Sequence, residues 1–298
     1  ELNYIPVGLG QDNFDDNWLR DNTGVNISHK NPYYGEYTFH YWLWKNYLEK
    51  IENQEWLGFC AYRRFWSNEN NKYEIKNKRD FLSRIPVEWE NYNVILGQDI
   101  FLEWKFSKIL KHGLRSLMKN PKLIFKKNWN IKYHFDSFHG YGNLDAAINL
   151  LDKKDREDFR EFTVNRNFYN RSSMFFCKSK KIMHDYYSTV FPWMERSEKI
   201  FGFNNQSYGL KRIYGFLIER FQSFWFQKYT NPFVWPIIFH DINNSEIFNN
   251  SGAGIATSYG NWASINNCRI YNNLNSGIVA GGNSNINAYG NQVYNNTG

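Results

Sequence analysis

Leu57-Gly58-Phe59-Cys60-Ala61-Tyr62-Arg63-Arg64-Phe65 joins a short apolar run to a pair of arginines. The run belongs to a segment, 55–62, that has the composition of a β-strand, and similar segments recur at 92–96, 173–177 and 234–239. Helical patterns alternate with these segments at 37–51, 145–162, 180–191 and 206–228. The alternation predicts an α/β fold for a first domain, residues 1–240.

The 298-residue chain is rich in aromatic residues, with 25 Phe, 21 Tyr and 12 Trp. This content suits aromatic cores and surfaces that stack on sugar rings. A net charge of +7 favours anionic partners. The cysteines, Cys60, Cys177 and Cys268, show neither a disulfide framework nor metal-ligand spacing, so a reducing compartment is expected. No apolar run approaches the about 20 residues that span a bilayer, and the start at Glu1 predicts a fragment of a longer protein.

From about residue 241 the composition changes to Asn, Gly, Ser and Ile, and a 23-residue repeat begins. Ile247-Phe248-Asn249-Asn250 recurs as Ile270-Tyr271-Asn272-Asn273 and as Val293-Tyr294-Asn295-Asn296. A fixed period with apolar positions between Asn and Gly turns is typical of stacked coils. Residues 241–298 therefore resemble a short parallel β-helix of the right-handed kind, expected to be truncated and to offer a surface for oligomerisation. A disordered Asn/Gly/Ser-rich tail is the alternative.

Four blocks within residues 4–240 carry a family resemblance through their order and spacing. They are Asp21-Asn22-Thr23-Gly24-Val25-Asn26-Ile27-Ser28, Glu36-Tyr37-Thr38, the stretch 57–65, and Gly215-Phe216-Leu217-Ile218-Glu219-Arg220-Phe221. The chain resembles the DUF4422 family of capsular-polysaccharide glycosyltransferases. Two features depart from that family: Ala61 stands where it usually has His, and this chain starts after its first strand, which we expect to be missing.

The resemblance implies a GT-A-like fold and a transferase that builds capsule or O-antigen. It implies transfer of a hexosyl unit, with galactofuranosyl as one candidate, from a nucleotide-sugar donor, UDP-sugars being the first choice. An oligosaccharide or a lipid-linked saccharide would be the acceptor. No tightly bound cofactor is expected.

The arginine pair suggests how the leaving diphosphate is neutralised. Many GT-A enzymes use an Asp-x-Asp motif and a divalent metal after a central strand, whereas here Arg63 and Arg64 follow the strand. Guanidinium groups are permanently charged and fork onto phosphate oxygens. We therefore hypothesise that the two arginines replace the metal and that transfer is metal-independent. Ion pairing of the arginines with Glu36 or Glu219 is the alternative.

The first matching block supplies candidate donor contacts. Asp21, Asn26 and Ser28 are predicted to contact the ribose or the sugar of the donor, and Lys30 to contact phosphate. Asp and Asn side chains also favour turns. A structural role for this loop is therefore an open alternative.

A general base is required if the anomeric configuration inverts. The Gly-, His- and Asp-rich segment 134–145 offers Asp136, His139 and Asp145, and Asp99 is a further candidate. Asp145 could equally cap a helix. Two histidines in this segment suggest zinc, but their spacing fits no known pattern, so no metal site is predicted.

Three charged residues complete the predicted site. Glu36, in the first turn of a predicted helix, could contact a sugar hydroxyl or simply favour the helix dipole. Glu219 and Arg220 lie in an aromatic helical pattern, where a lone buried charge is costly. We expect Glu219 to pair with Arg63 or Arg64.

Residues 104–127 contain eight Lys or Arg and no acidic residue, interleaved with apolar side chains. This pattern suits the surface of an anionic membrane, and a solvated helix packed on the domain is the alternative. Nucleic-acid binding is not expected, because no known module accompanies the charge. The predicted location is cytoplasmic, peripheral to the inner face of a bacterial membrane.

A second class of function is a non-catalytic carbohydrate-binding or structural surface protein, of the tail-fibre-like kind, built on the β-helix. Ala61 and the missing first strand favour it, and the intact sequence blocks oppose it. Glu246 is the one acidic residue after Asp241. Hydrolysis by paired carboxylates in the repeat region is therefore not expected.

Overall fold

The computed structural model describes residues 2, 4–14, 16–61, 63–70, 80–102, 118, 129–170, 172–204, 208–239, 246–257, 262–266, 268–281 and 285–297. The chain divides into two compact units, Glu1–Ile237 and Ile238–Gly298. The predicted membrane segment 104–127, except for the exposed Met118, lies outside the described residues.

The described strands with residues in the first unit are short. They are β1 (Val7–Gly8), β2 (Leu19–Arg20), β3 (Leu57–Gly58), β4 (Arg64–Trp66), β5 (Val94–Gly97), β6 (Asp99–Phe101), β7 (Phe168–Asn170), β8 (Phe175–Cys177), β9 (Phe233–Trp235) and β10 (Ile237–Phe239).

A four-stranded mixed sheet in the order β3-β8-β5-β9 lies at the centre of this unit. β8 is antiparallel to both β3 and β5, whereas β5 and β9 are parallel. β3, β5 and β9 therefore run in the same direction. Smaller pairs accompany the sheet, among them β1 with β2 in parallel and β6 with β7 in antiparallel orientation.

The arginine pair was predicted to follow a central strand, and this is wrong for the sheet that the described residues form. β3 lies at one end of the strand order, and Leu57 and Gly58 are its paired residues. The inner positions belong to β5 and β8, whose residues are all buried. Strands that are apolar throughout bury both faces, so they occupy the middle of a sheet.

The two faces of the sheet divide the aromatic core. Val94 and Leu96 of β5 join one cluster with the helices, while Ile95 joins the opposite cluster with Trp66 and Trp89. β8 behaves in the same way, because successive side chains of a strand point to opposite faces. Many of the described aromatic residues of the first unit thus belong to these two core clusters.

The described helices of the first unit are α1 (Asn31–Tyr34), α2 (Tyr37–Asn46), α3 (Ile131–His139), α4 (Asn143–Ile148), α5 (Lys153–Asn165), α6 (Lys180–Phe201), α7 (Tyr208–Lys211) and α8 (Ile213–Tyr229). The predicted helix 145–162 is two helices, since the chain turns between Ile148 and Lys153. The prediction 180–191 ended ten residues early, because Pro192 is tolerated inside α6. Among the described residues, no helix is both long and apolar enough to cross a membrane.

The second unit repeats one pairing geometry. Its described strands are β11 (Glu246–Phe248), β12 (Ile255–Thr257), β13 (Trp262–Asn266), β14 (Arg269–Tyr271), β15 (Ile278–Ala280), β16 (Asn285–Tyr289) and β17 (Gln292–Tyr294). Every described pair is parallel and joins residues 23 positions apart, as in Ile247 with Ile270 and Ile270 with Val293.

Equivalent side chains in this unit stack on one another. The rings of Phe248, Tyr271 and Tyr294 lie parallel with centroids 5.0 Å apart. Asn250 Nδ2 donates to Asn273 Oδ1 at 2.7 Å, and Asn273 Nδ2 donates to Asn296 Oδ1 at the same distance. The residue before each of these asparagines is also Asn and has a positive φ of 52–57°, a conformation that Asn tolerates better than most residues.

Candidate functional site

β3, β5 and β9 end at one edge of the central sheet, where β8 begins. We call this the carboxyl edge; it comprises the residues that follow β3, β5 and β9 and those just before β8. Ligands of α/β proteins commonly bind outside the carboxyl ends of such strands. Because β8 separates β3 from β5, the chain segments that leave them are about 10 Å apart, twice the usual strand spacing.

The predicted arginine pair lies beyond the carboxyl edge, since β3 ends at Gly58 and Arg64 begins β4. The Arg64 N–H donates to the carbonyl of Ala61 at 3.0 Å and closes a tight turn after β3. Arg63 and Arg64 are both partly buried, while Tyr62 lies outside the described residues. Binding of a diphosphate by these arginines stays a prediction.

Asp99 follows β5 at the same edge and is partly buried. The side-chain amide of Asn170 donates to Asp99 Oδ1 at 2.9 Å and to the carbonyl of Gly97 at 2.7 Å. Asn170 Oδ1 accepts from Ser223 Oγ at 2.8 Å and from Gln227 Nε2 at 3.1 Å. Burial raises the pKa of Asp99, while Arg166 and the Asn170 hydrogen bond oppose that rise.

α8 carries the buried Arg220, which is 2 % exposed. Its Nη1 donates to the carbonyl of Phe216 at 2.9 Å and lies 3.3 Å from Glu219 Oε2. The rings of Phe135, Tyr169 and Phe216 surround the guanidinium, with centroids 4.8–5.6 Å from its carbon. The cation is thus stabilised by a neighbouring acid and by aromatic faces. The predicted pairing of Glu219 with the arginine pair stays a prediction.

His139 ends α3 and is buried. Its Nδ1 lies 3.0 Å from the carbonyl oxygen of Gly209, so this nitrogen is the donor, and its ring stacks on Phe216 with centroids 4.1 Å apart. Burial and the Arg220 cation lower the pKa of His139 well below its ordinary value. The ring is therefore neutral near pH 7, and its catalytic role stays a prediction.

Asp145 lies in the first turn of α4, whose N-cap is Gly142, so the alternative that Asp145 caps this helix is wrong. Lys132 Nζ contacts Asp145 Oδ2, and Arg160 donates to Asp145 Oδ1 at 3.2 Å. Asp136 is buried beside the same lysine, at 3.6 Å. Burial raises the pKa of Asp136 to about 6, while Lys132 opposes the rise. These acids form an ion-pair cluster, and a catalytic role for Asp145 stays a prediction.

The predicted donor loop is held by its own side chains. Asp21 is fully buried; its Oδ1 accepts from the Gly10 N–H at 2.9 Å and its Oδ2 from Thr38 Oγ1 at 2.5 Å. Asn26 Oδ1 accepts from the N–H and hydroxyl of Ser28, at 3.2 and 2.8 Å. The structural alternative for this loop is therefore observed, and donor contact stays a prediction.

Lys30 and Glu36 each have an ion-pair partner. Lys30 Nζ donates to both carboxylate oxygens of Glu198 at 2.7 and 2.9 Å, and the Tyr34 hydroxyl donates to Glu198 Oε1 at 2.6 Å. Glu36 lies at the N-cap of α2 without a capping hydrogen bond, and its Oε2 is 3.7 Å from an Arg212 nitrogen. Phosphate binding by Lys30 would require it to leave, or share, the carboxylate of Glu198.

Sequence reasoning missed Asn170 and the polar face of α8. Gln222 Nε2 donates to the carbonyl of Ser172 at 3.2 Å, and Tyr37 donates to Gln222 Oε1 at 3.4 Å. Ser172 has a φ of 71°, a strained value for a residue other than glycine. The available signal was the spacing of polar residues in α8: Glu219, Ser223 and Gln227 recur every four positions, and Gln222 follows Glu219 by three, in an otherwise aromatic helix.

An open groove of about 380 Å³ lies beside α5 and α8. It is lined by Asp158, Glu161, Phe162, Asn165, Arg166, Phe224, Gln227 and Lys228. Gln227 connects this groove to Asn170 and so to the carboxyl edge. Within the described part of the chain, no three His, Cys, Asp or Glu side chains are grouped closely enough to hold a metal ion.

The first unit is thus an α/β domain with a polar site at the carboxyl edge of a mixed sheet. The fold of the chain is similar to a solved structure described as the apo form of the bifunctional glycosyltransferase WbbM, with a TM-score of 0.55 and 19% sequence identity. The match covers 89% of this chain and 50% of that chain, so this chain spans about half the length of its neighbour.

The family model DUF4422, described as a domain of unknown function, matches residues 2–231. The chain belongs to this family, and the resemblance carried by the four sequence blocks is confirmed. No curated protein matches the sequence.

Proposed function

We propose that the first unit is a glycosyltransferase that moves a hexosyl unit from a nucleotide diphosphate sugar to a growing surface-polysaccharide acceptor. Family membership and the fold of its structural neighbour support this reaction class. The observation that carries the proposal is the carboxyl edge, where the arginine pair and Asp99 follow strands two positions apart. Galactofuranosyl is one candidate sugar, and UDP is the first candidate nucleotide.

In this proposal Arg63 and Arg64 bind the diphosphate, because guanidinium groups neutralise phosphate oxygens bidentately. The separation of about 10 Å between the two chain exits suits a donor that lies along the edge. Its anomeric carbon, which is bonded to the diphosphate, would then lie between the arginines and Asp99. Glu219 is proposed to contact the sugar from α8, with the buried Arg220 holding its carboxylate, and the loop that holds Asp21 is proposed to contact the nucleoside.

We also propose a GT-A-like, metal-independent reaction, since the arginines supply the charge that a divalent cation would otherwise provide. Turnover measured with and without EDTA tests this directly. Loss of activity in EDTA that is restored by added Mg²⁺ or Mn²⁺ contradicts it.

The repeat region is proposed to form a parallel β-helix. Parallel pairing of residues 23 positions apart, stacked aromatic rings and the asparagine ladder support this architecture. Its proposed role is oligomerisation, which sedimentation of the whole chain and of a chain ending at residue 240 would test. The basic segment 104–127 is proposed to bind an anionic membrane surface from the cytoplasmic side, which co-sedimentation with phosphatidylglycerol vesicles would test.

The transferase proposal is tested with a panel of nucleotide sugars and saccharide acceptors, with release of nucleoside diphosphate as the readout. Binding is measured separately as a thermal shift, because a ligand that binds only the native state raises its stability. A shift with UDP and not with free sugars supports a transferase. A shift with saccharides alone, and no turnover of any donor, supports the carbohydrate-binding alternative.

A further inference from the structure

The proposed transfer requires a group that accepts the proton of the acceptor hydroxyl. Asp136 and Asp145 share Lys132, and His139 is buried with its Nδ1 on a carbonyl. Asp99 is partly exposed, and it differs from these candidates because it lies directly at the carboxyl edge. We propose that Asp99 is the proton acceptor of this reaction and that Asn170 positions its carboxylate; the inference rests on the proposed function.

Asn170 connects Asp99 to α8 through hydrogen bonds. It is 2% exposed, and its amide nitrogen donates to Asp99 Oδ1 and to the Gly97 carbonyl, while its amide oxygen accepts from Ser223 and Gln227. Every polar atom of this side chain is therefore engaged. A buried side chain held by four hydrogen bonds has one orientation, and so does the carboxylate oxygen that it binds.

Arg166 fixes the orientation of the Gln227 and Asn170 side-chain amides. Arg166 donates from Nη1 to Gln227 Oε1 at 2.8 Å. A guanidinium can only donate, so the Gln227 amide must point its oxygen at Arg166 and its nitrogen at Asn170. Asn170 must then point its own nitrogen at Asp99. A chain of hydrogen bonds thus runs from Arg166 through Gln227 to Asn170, and it directs an N–H at Asp99 Oδ1. We call this hydrogen-bond chain the relay.

The relay assigns different roles to the two oxygens of the carboxylate. Oδ1 is occupied by Asn170, and the described residues give Oδ2 no hydrogen-bond partner. Oδ2 is therefore the oxygen that can take a proton. In the step, the acceptor hydroxyl oxygen bonds to the anomeric carbon as the bond from that carbon to the diphosphate oxygen breaks. The hydroxyl proton passes to Oδ2, and the nucleoside diphosphate leaves with the electron pair.

Burial and the neighbouring groups act on the pKa of Asp99 in opposite directions. Burial raises its pKa, and Arg166 at the end of α5 is the charged group that opposes the rise, together with the Asn170 hydrogen bond. Ser223 and Gln227 face the site from α8 and carry no charge. Breaking the relay therefore raises the pKa of Asp99 further. A base works only when deprotonated, so the acidic limb of the pH–rate profile must move to higher pH.

The experiment compares the wild-type chain with two isosteric variants and one control. Asp99→Asn keeps the Asn170 contact and removes the base. Gln227→Glu keeps the contact with Arg166, but its carboxylate has no N–H to donate to Asn170. The Asn170 amide is then expected to turn over and to present its oxygen to Asp99. Asp185→Asn, on the exposed face of α6 beside Lys181, is the control. Donor turnover and UDP affinity are measured for every chain, and the carboxyl ¹³C titration of Asp99 is measured for each chain that retains Asp99.

We expect Asp99→Asn to lower kcat/KM by about 100-fold or more, the usual contribution of a general base, with UDP affinity unchanged. Gln227→Glu should move the acidic limb, and the Asp99 titration, upward by about one pH unit, the equivalent of one hydrogen bond to a charged group. Asp185→Asn should match the wild type.

Two outcomes overturn the inference while leaving the transferase intact. One is an active wild-type chain whose Asp99→Asn variant keeps more than a tenth of its turnover. The other is a Gln227→Glu variant in which the pKa of Asp99 equals that of the wild type, which would show that Asn170 and Gln227 do not control this carboxylate. A wild-type chain that turns over no donor refutes the proposed function instead, and the NMR titration still tests the relay without any substrate.

Discussion

Replacing His40 should remove much of the acid sensitivity of the first unit. His40 is 1% exposed, packs against the rings of Phe59 and Phe175, and has its Nδ1 2.9 Å from the Tyr187 hydroxyl. Burial lowers its pKa from 6.5 to about 3, although a hydrogen bond with the backbone of Ser173 opposes the change. The native ring therefore stays neutral over a range in which the unfolded chain takes up a proton.

The magnitude follows from proton linkage. Between pH 6.5 and about 3 the unfolded state binds one more proton at this site than the native state, so the free energy of unfolding falls as the pH falls. Each pH unit in this window is worth about 1.4 kcal/mol. Between pH 7 and pH 5, His40 alone should cost the wild-type protein about 2 kcal/mol.

Urea unfolding at pH 7 and pH 5 measures this cost, for the wild type, His40→Gln and His40→Leu. Tryptophan fluorescence reports the first unit, because Trp262 is the one tryptophan after residue 237. Both variants have a lower free energy of unfolding than the wild type at pH 7. The difference between the wild type and each variant should be about 2 kcal/mol smaller at pH 5. Other titrating groups cancel in this double difference. If this difference in the free energy of unfolding is the same at both pH values to within about 0.5 kcal/mol, the conclusion that His40 is buried and neutral is refuted.

Three further outcomes are expected. Gly58→Ala should destabilise the first unit by about 1–3 kcal/mol in urea, because a Cβ there would lie 2.1 Å from the Phe176 ring; unchanged stability would show that β3 does not pack as described. Asn273→Ala should accelerate amide exchange throughout the second unit, since its buried amide joins both neighbouring asparagines, whereas the exposed Asn275→Ala should not. Arg63→Ala should weaken UDP binding about tenfold or more, as one charge-assisted hydrogen bond to phosphate is worth about 1.5–3 kcal/mol; normal turnover in this variant would remove the diphosphate hypothesis.

Much of the architecture was available from residue patterns alone. The runs at 92–96 and 173–177 lie where β5 and β8 form, because continuous apolar residues must be buried on both faces. The 23-residue repeat likewise gives the pairing offset of the second unit, since equivalent residues of neighbouring repeats pair with one another. Family membership followed from the order of the four blocks.

Helix breaks and sheet order were less accessible. The pattern 145–162 continues through the turn after Ile148, because the flanking helices keep a similar apolar period. The position of β3 at the end of the sheet depends on which strands pair, and strand pairing is a non-local choice that a local pattern does not encode.

The sequence by itself determined the family, the α/β composition of the first unit and the period of the second, because these depend on local composition and regular spacing. Tertiary structure alone decided that Asp99 meets Asn170, 71 residues away, and that Gln227 joins Asn170 to Arg166. The physical reason is that a hydrogen bond depends on distance and direction in space. Both are fixed only when α8 packs beside β7.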